Sequence, residues 1–131
     1  MTVGIVLVSH SAAVAEAVAG LAVGLSGGAE QVPVVAAGGT PDGGLGTDAL
    51  AITEAARSVD RGEGVAVLTD LGSAVLTVKA LLADDELPPE TVLVDAPFVE
   101  GAVAAVVTAA AGADLAAVAA AAQDAYTFRK T

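Results

Sequence analysis

Cysteine and tryptophan are absent from this 131-residue chain, and there is a single histidine. Without cysteine there are no disulfides, no iron–sulfur clusters and no thiolate zinc site. One histidine builds no multi-histidine metal centre. A carboxylate Mg²⁺ or Ca²⁺ site stays open on composition, although no EF-hand spacing occurs. The aromatic residues are Phe98, Tyr126 and Phe128, too few to make a platform for stacked bases. Basic residues are scarce too: five against sixteen acids, for a formal net charge of −11. A chain so acidic is repelled by nucleic acid and by anionic membrane surfaces, so neither is expected as a partner. Most of the acids are read as solubilising an alanine-rich surface.

Long lipophilic runs are also missing. Met1-Thr2-Val3 puts no basic region before the first apolar run, unlike a secretory signal. Val3–Val8 is too short to span a bilayer, and the stretch from Gly101 to Ala122 is mostly alanine and broken by Gly112 and Asp114. The expectation is a cytoplasmic protein. Apolar residues make up 55% of the chain, enough for a real core at this length, and residues 1–131 are read as one domain.

Four short apolar runs read as strands: Val3–Val8, Val32–Ala37, Val65–Leu68 and Val92–Val94. None alternates cleanly, which fits strands covered on both faces. Helical patterns lie between them. Val14, Val18, Leu21 and Leu25 suggest one buried face of a first helix, closed by Gly27-Gly28. A second helix is expected from Thr47 or Asp48, with Ile52, Ala55 and Val59 inward and Glu54 and Arg57 outward. Ser73 is read as the cap of a third helix carrying Val75, Val78 and Leu82, with Pro88-Pro89 blocking continuation. Gly101–Ala111 is read as a fourth helix closed by Gly112. Asp114 then caps a fifth with Leu115, Val118, Ala122 and Ala125 inward, and Arg129 and Lys130 are placed against its C-terminal dipole. Alternating strands and helices predict an α/β fold: an open, mostly parallel sheet of about four strands with helices on both faces.

In such sheets ligands bind beyond the carboxyl ends of the strands. Three unusual segments fall there: Ser9-His10-Ser11, the glycine-rich run Gly38–Asp48 and Thr69-Asp70-Leu71-Gly72-Ser73. His10 has a plain reading as a solvated residue at a helix start and a chemical one as a nucleophile, since neutral imidazole offers a lone pair that can take and return a phosphoryl group. Such a ring needs one nitrogen fixed by an acceptor, and Asp70 is the candidate; capping the next helix is its other reading. The glycine-rich loop could wrap an anion, and helix starts at Ser11, Thr47 and Ser73 would add oriented donors. There is no GxxxxGK[ST] run, no convincing dinucleotide fingerprint and no GxSxG elbow for a serine hydrolase.

Taken together, Gly4–Ser11, Gly46-Thr47-Asp48, Asp70–Ala74 and Ala96–Gly101 resemble the mannose-type enzyme IIA family, in the branch that supplies phosphoryl-donor subunits to bacterial phosphoenolpyruvate-dependent dihydroxyacetone kinases. The resemblance implies a homodimer with no cofactor. It implies His10 phosphorylated on Nε2, Asp70 as its orienting acceptor, and Ser9, Ser11, Gly39, Thr40, Gly46, Thr47, Leu71, Gly72 and Ser73 around the phosphate. The donor would be the histidine-containing phosphocarrier protein. The acceptor would be ADP on the nucleotide-binding kinase subunit, whose ATP then serves the dihydroxyacetone-binding subunit. The sugar-transport branch typically has glycine after the active histidine and a DLxGGSP-like loop; Ser11 and Asp70-Leu71-Gly72-Ser73-Ala74 differ from both. A non-enzymatic anion-binding or regulatory domain is the alternative from another class.

Overall fold

The computed structural model describes residues 2–27 and 32–131. Four parallel strands, β1 (Gly4–Ser9), β2 (Val34–Gly38), β3 (Val65–Thr69) and β4 (Thr91–Leu93), form a sheet in the order β2-β1-β3-β4. The two central strands are buried along their whole length, which is why β1 and β3 read as continuous apolar runs, whereas the edge strands β2 and β4 are partly exposed. The second strand begins at Val34, not Val32, because Val32 and Pro33 lead in and the Pro33 carbonyl accepts from the Ile5 N–H.

Among the described residues five α-helices cover the sheet: α1 (Ala12–Leu25), α2 (Ala49–Val59), α3 (Gly72–Ala83), α4 (Phe98–Ala110) and α5 (Leu115–Asp124), the last followed by a 3₁₀ turn at Ala125–Thr127. One face of the sheet, with Ile5, Leu7, Ala66 and Leu68, packs on α1, α4 and α5 through Val18, Ala22, Ala102, Ala105, Val106, Val118 and Ala122. The other face, with Val6, Val8, Val65 and Val67, packs on α2 and α3 through Ile52, Ala55, Ala56, Val59, Ala74 and Val78. The expected fold is thus the observed one.

Several local expectations are corrected. Only Val18 of the expected α1 stripe is buried; Val14, Leu21 and Leu25 are exposed, and the inward face is Ala15, Val18 and Ala22. Alanine is apolar enough to sit on either face, and here its small size lets α1 approach the sheet and α4 closely. Gly27 adopts φ +66° just past the helix, as a C-terminal stop does, while Gly28 lies outside the described residues. Ser73 does not cap α3, whose N-cap is Leu71. Its hydroxyl is engaged elsewhere, as described below. Helix α4 starts at Phe98, three residues ahead of Gly101. Gly101 is not a helix start but a close-packing position, where an added Cβ would lie 2.8 Å from the Ala96 Cβ. Arg129 and Lys130 lie beyond α5, and Lys130 instead pairs at 2.5 Å with Glu100 in the first turn of α4. Asp114 does cap α5, accepting from the Ala117 N–H at 2.9 Å. Among the described residues no helix is long and apolar enough to cross a membrane.

Candidate active site

The order β2-β1-β3-β4 makes the chain run outward from β1 to β2 and then return across β1 to β3, so the crevice between the carboxyl ends of β1 and β3 is the topological switch point. Register decides what meets there. Val8 pairs with Thr69 and Ser9 with Gly38, so the residues that follow, His10, Gly39 and Asp70, leave the sheet side by side.

Asp70 is the hub. Its Oδ2 accepts from the Ser9 hydroxyl at 2.8 Å and from the His10 backbone N–H at 3.0 Å. Its Oδ1 accepts from the Leu71 N–H at 2.7 Å and meets His10 Nδ1 at 3.0 Å. Burial raises the Asp70 carboxyl, but the four hydrogen bonds, led by the His10 N–H and the Ser9 hydroxyl, outweigh it and hold the group below the ordinary carboxylate range. Ionised Asp70 can only accept, so the Nδ1 facing it carries the proton. Nε2 is then left with its lone pair, and the Ser73 hydroxyl, in the first turn of α3, donates to it. The His10 side chain is 24% exposed and that of Asp70 16%. The acid is thus enclosed, and the ring opens to solvent.

The other expected site residues divide into two groups. Ser9 is buried; besides bonding Asp70, its hydroxyl accepts from the Ser11 N–H at 3.0 Å. Ser11 is the N-cap of α1 and accepts from the Val14 N–H at 3.2 Å. Leu71 and Gly72 form the start of α3 beside the ring. The glycine-rich loop, by contrast, turns its donors inward. The Gly39 N–H goes to Ser9 O, Thr40 N–H to Gly44 O and Gly46 N–H to His10 O at 2.8 Å. The Gly44 N–H is shared between the Thr40 hydroxyl and Asp42, and the Thr47 hydroxyl meets that of Thr77 at 3.1 Å. The loop therefore braces the His10 backbone, and those N–H groups are not free to cradle an anion. Glycine serves its turns: Gly39 sits at φ +75° and Gly46 at φ +143°.

Gly38, the first residue of the glycine-rich run, has a role in this brace that the run's composition does not reveal. At Gly38 a Cβ would come within 2.5 Å of the Ser11 carbonyl oxygen and 2.8 Å of its carbon, so only glycine lets β2 end against the start of α1. A strand-ending glycine before a loop full of glycines carries no signal of its own. Gly38→Ala should cost about 3 kcal/mol, since backbone cannot yield as a flexible side chain does. Gly20→Ala and Gly24→Ala, in α1 where nothing lies within 4 Å of an added Cβ, should instead stabilise by roughly 0.5–1 kcal/mol. Urea midpoints of the three variants check both signs.

A cleft of about 710 Å³ runs along β4 and α5, past Glu63, Glu90 and Asp114, and contains neither His10 nor Ser73. A second, of about 500 Å³, is lined by Asp70, Leu71 and Gly72 together with Lys79 and Tyr126. His10 and Ser73 line neither cleft, although Asp70 opens onto the second. No cluster of three or more metal-binding side chains occurs among the described residues.

Known proteins share this arrangement of sequence. A family model described as PTS system fructose IIA component (EIIA-man) matches residues 4–119. The phosphoryl donor subunit DhaM of phosphoenolpyruvate-dependent dihydroxyacetone kinase 2 from Listeria innocua is 39% identical over 107 residues, 80% of this chain and 84% of that protein. The DhaM subunit from Escherichia coli is 38% identical over 116 residues, 86% of this chain but only 25% of that longer protein. In structure, the chain is similar to the crystal structure of a protein of unknown function, EF1359, with a TM-score of 0.80, 36% identity and 95% of each chain covered. With the family model covering nearly the whole chain and a relative matched along most of both lengths, the chain belongs to the EIIA-man family of phosphotransferase-system components.

Proposed function

We propose that the chain is a phosphoryl carrier that accepts phosphate on Nε2 of His10 from the histidine-containing phosphocarrier protein and passes it to ADP on the nucleotide-binding subunit of dihydroxyacetone kinase. The observation that carries this reading is the Asp70–His10 pair, which fixes the proton on Nδ1 and turns Nε2 outward. The relatives named as phosphoryl donor subunits support the same role.

The steps follow from the geometry. The Nε2 lone pair attacks the incoming phosphorus while Nδ1 keeps its proton against Asp70. The phosphorylated ring is cationic, and the ionised Asp70 offsets that charge. Before attack the Ser73 hydroxyl must swing off the lone pair; it then donates to a phosphoryl oxygen, beside the positive end of α3. Ser9 and the Leu71 N–H keep Asp70 from rotating. The kinase subunit that binds dihydroxyacetone receives the phosphate one step later, from ATP. In this reading the protein is cytoplasmic and homodimeric. The latter is checked by light scattering at micromolar concentration.

The test is reconstitution. Phosphoenolpyruvate, enzyme I and the phosphocarrier protein should add one phosphoryl group by intact mass, labile in acid and stable in base. ADP-loaded kinase subunit should remove it. Failure to bind that subunit, with binding to a sugar-transport IIB protein instead, would move the assignment to the sugar branch that the family description also covers. For Ser73→Ala we expect one phosphate still taken up, at a rate about fivefold lower, the worth of one lost hydrogen bond near 1 kcal/mol. Rapid-quench single turnovers check it.

A further inference from the structure

Asp70 fixes the Nδ1 side of the His10 ring. The Nε2 side depends on Ser73, and the start of α3 that carries Ser73 is lightly held. Its N-cap, Leu71, makes no side-chain capping bond, and within the helix only Ala74 and Val78 are fully buried. Leu71, Gly72 and Ser73 are all exposed. One bond, from the Leu71 N–H to Asp70, anchors this turn from the side of the acid. A first turn with so little burial frays readily, and a hydroxyl riding on it would not keep one distance from a nitrogen.

Two threonines supply the missing hold. Thr77, one turn along α3, donates its hydroxyl to the Ser73 carbonyl at 3.1 Å. A hydroxyl has one proton, so the 3.1 Å contact between Thr77 and Thr47 is made with the proton of Thr47. A bond from threonine back to the preceding turn is common in helices and alone would mean little. Here the same oxygen also accepts from a residue 30 positions away, on the glycine-rich loop. That loop is fastened to His10, because the Gly46 N–H, next to Thr47, donates to the His10 carbonyl at 2.8 Å. The contacts close a circuit. It runs from the His10 carbonyl through Gly46, Thr47 and Thr77 to the Ser73 carbonyl, and from the Ser73 hydroxyl back to Nε2. Both threonines are half-buried, so water competes less for their hydroxyls.

We propose that Thr77 is a positioning residue for phosphoryl transfer, acting with Thr47 to hold the Ser73 hydroxyl at Nε2. This deepens the phosphohistidine reading above and rests on it. Both threonines act through the Ser73 backbone, not on the ring itself. With that carbonyl held, the Ser73 side chain turns about its Cα–Cβ bond alone, from the lone pair to a phosphoryl oxygen. The distance between this donor and the transferred group then stays set through the reaction. Asp70 and the threonine pair thus hold the two nitrogens of one ring from opposite sides.

The test compares Thr77→Val and Thr47→Val with Ser73→Ala and with the double variant Ser73→Ala/Thr77→Val. Valine keeps the shape of threonine and removes the hydroxyl. In rapid-quench single turnovers from the charged phosphocarrier protein, each threonine variant should transfer about threefold more slowly, a share of the roughly fivefold loss expected for Ser73→Ala. The loss should fall on the rate at saturating donor and leave KM alone. The double variant should be no slower than Ser73→Ala, because a tie that acts through a hydroxyl does nothing once the hydroxyl is gone. Thr77→Ser should restore the wild-type rate. Thr47→Val, on the other side of the contact, gives the same readings without altering α3. A second readout needs no phosphate: at about pH 8.5, where imidazole is neutral, the ¹⁵N resonance of Nε2 in Thr77→Val should move toward its position in Ser73→Ala. Losses that multiply in the double variant, to about 15-fold, overturn the tie, as does an Nε2 resonance that stays at the wild-type position. A wild-type protein that takes up no phosphate overturns the phosphohistidine reading, and the resonance by itself then decides whether the tie holds Ser73.

Discussion

His10→Ala is expected to fold and to take up no phosphate at all. There is no second imidazole in the chain to substitute for it. The Ser9 hydroxyl bonds Asp70 but is buried, the exposed Ser73 hydroxyl has no carboxylate partner among the described residues, and transfer from phosphoimidazole to a plain hydroxyl would not be readily reversible. The folding cost should be small. The ring contributes one hydrogen bond to Asp70 and one to the exposed Ser73 hydroxyl, while the backbone bonds of His10 to Asp70 and Gly46 persist, so the loss is about 1–2 kcal/mol. Intact mass after incubation with phosphoenolpyruvate and the carrier proteins, alongside a urea melt, reads both outcomes. A His10→Ala protein that still gained a phosphate would end the carrier assignment.

Asp70→Asn is expected to slow single-turnover transfer by about 10²-fold or more, because an amide no longer fixes the ring tautomer by charge and no longer offsets the cationic phosphohistidine. The amide nitrogen would also face donors from Ser9 and the His10 backbone where an acceptor is required. Loss of charged hydrogen bonds at this enclosed position should cost about 2 kcal/mol at neutral pH. Asp70 is held below its ordinary value of 3.8 in the folded protein. Its contribution is therefore fully present above that value and is lost as pH falls through the folded one. The stability gap between wild type and Asp70→Asn should stay constant near neutrality and close in strong acid. A gap unchanged by acid would mean that the carboxylate charge is not what stabilises the site.

The site was legible because its parts sit at strand ends, where the chain changes character. Ser9-His10-Ser11 interrupts an apolar run, and Asp70 interrupts another; both positions are visible without coordinates. The roles within the site were less so. Ser73 looked like a helix cap because serine near a helix start usually is one, yet its hydroxyl reaches Nε2 of His10. The glycine-rich loop looked like an anion cradle because glycine frees N–H groups. Where those groups point depends on what lies across from them, and here it is the carbonyls of Ser9, His10 and Gly44. On α1 the larger side chains suggested the buried face, but the sheet and α4 demanded small ones.

The amino-acid sequence by itself determined the class of fold, because uninterrupted β-branched runs separated by helical patterns can be buried in few other ways, and it narrowed any imidazole chemistry to His10, because the chain has only one imidazole. Tertiary structure alone decided the strand order, and with it the crevice between β1 and β3. Register then set Asp70 against Nδ1, Ser73 against Nε2 and Gly38 against Ser11. Residues 60 positions apart in the chain meet only when two strands align, and which nitrogen stays free follows from that alignment rather than from any local pattern.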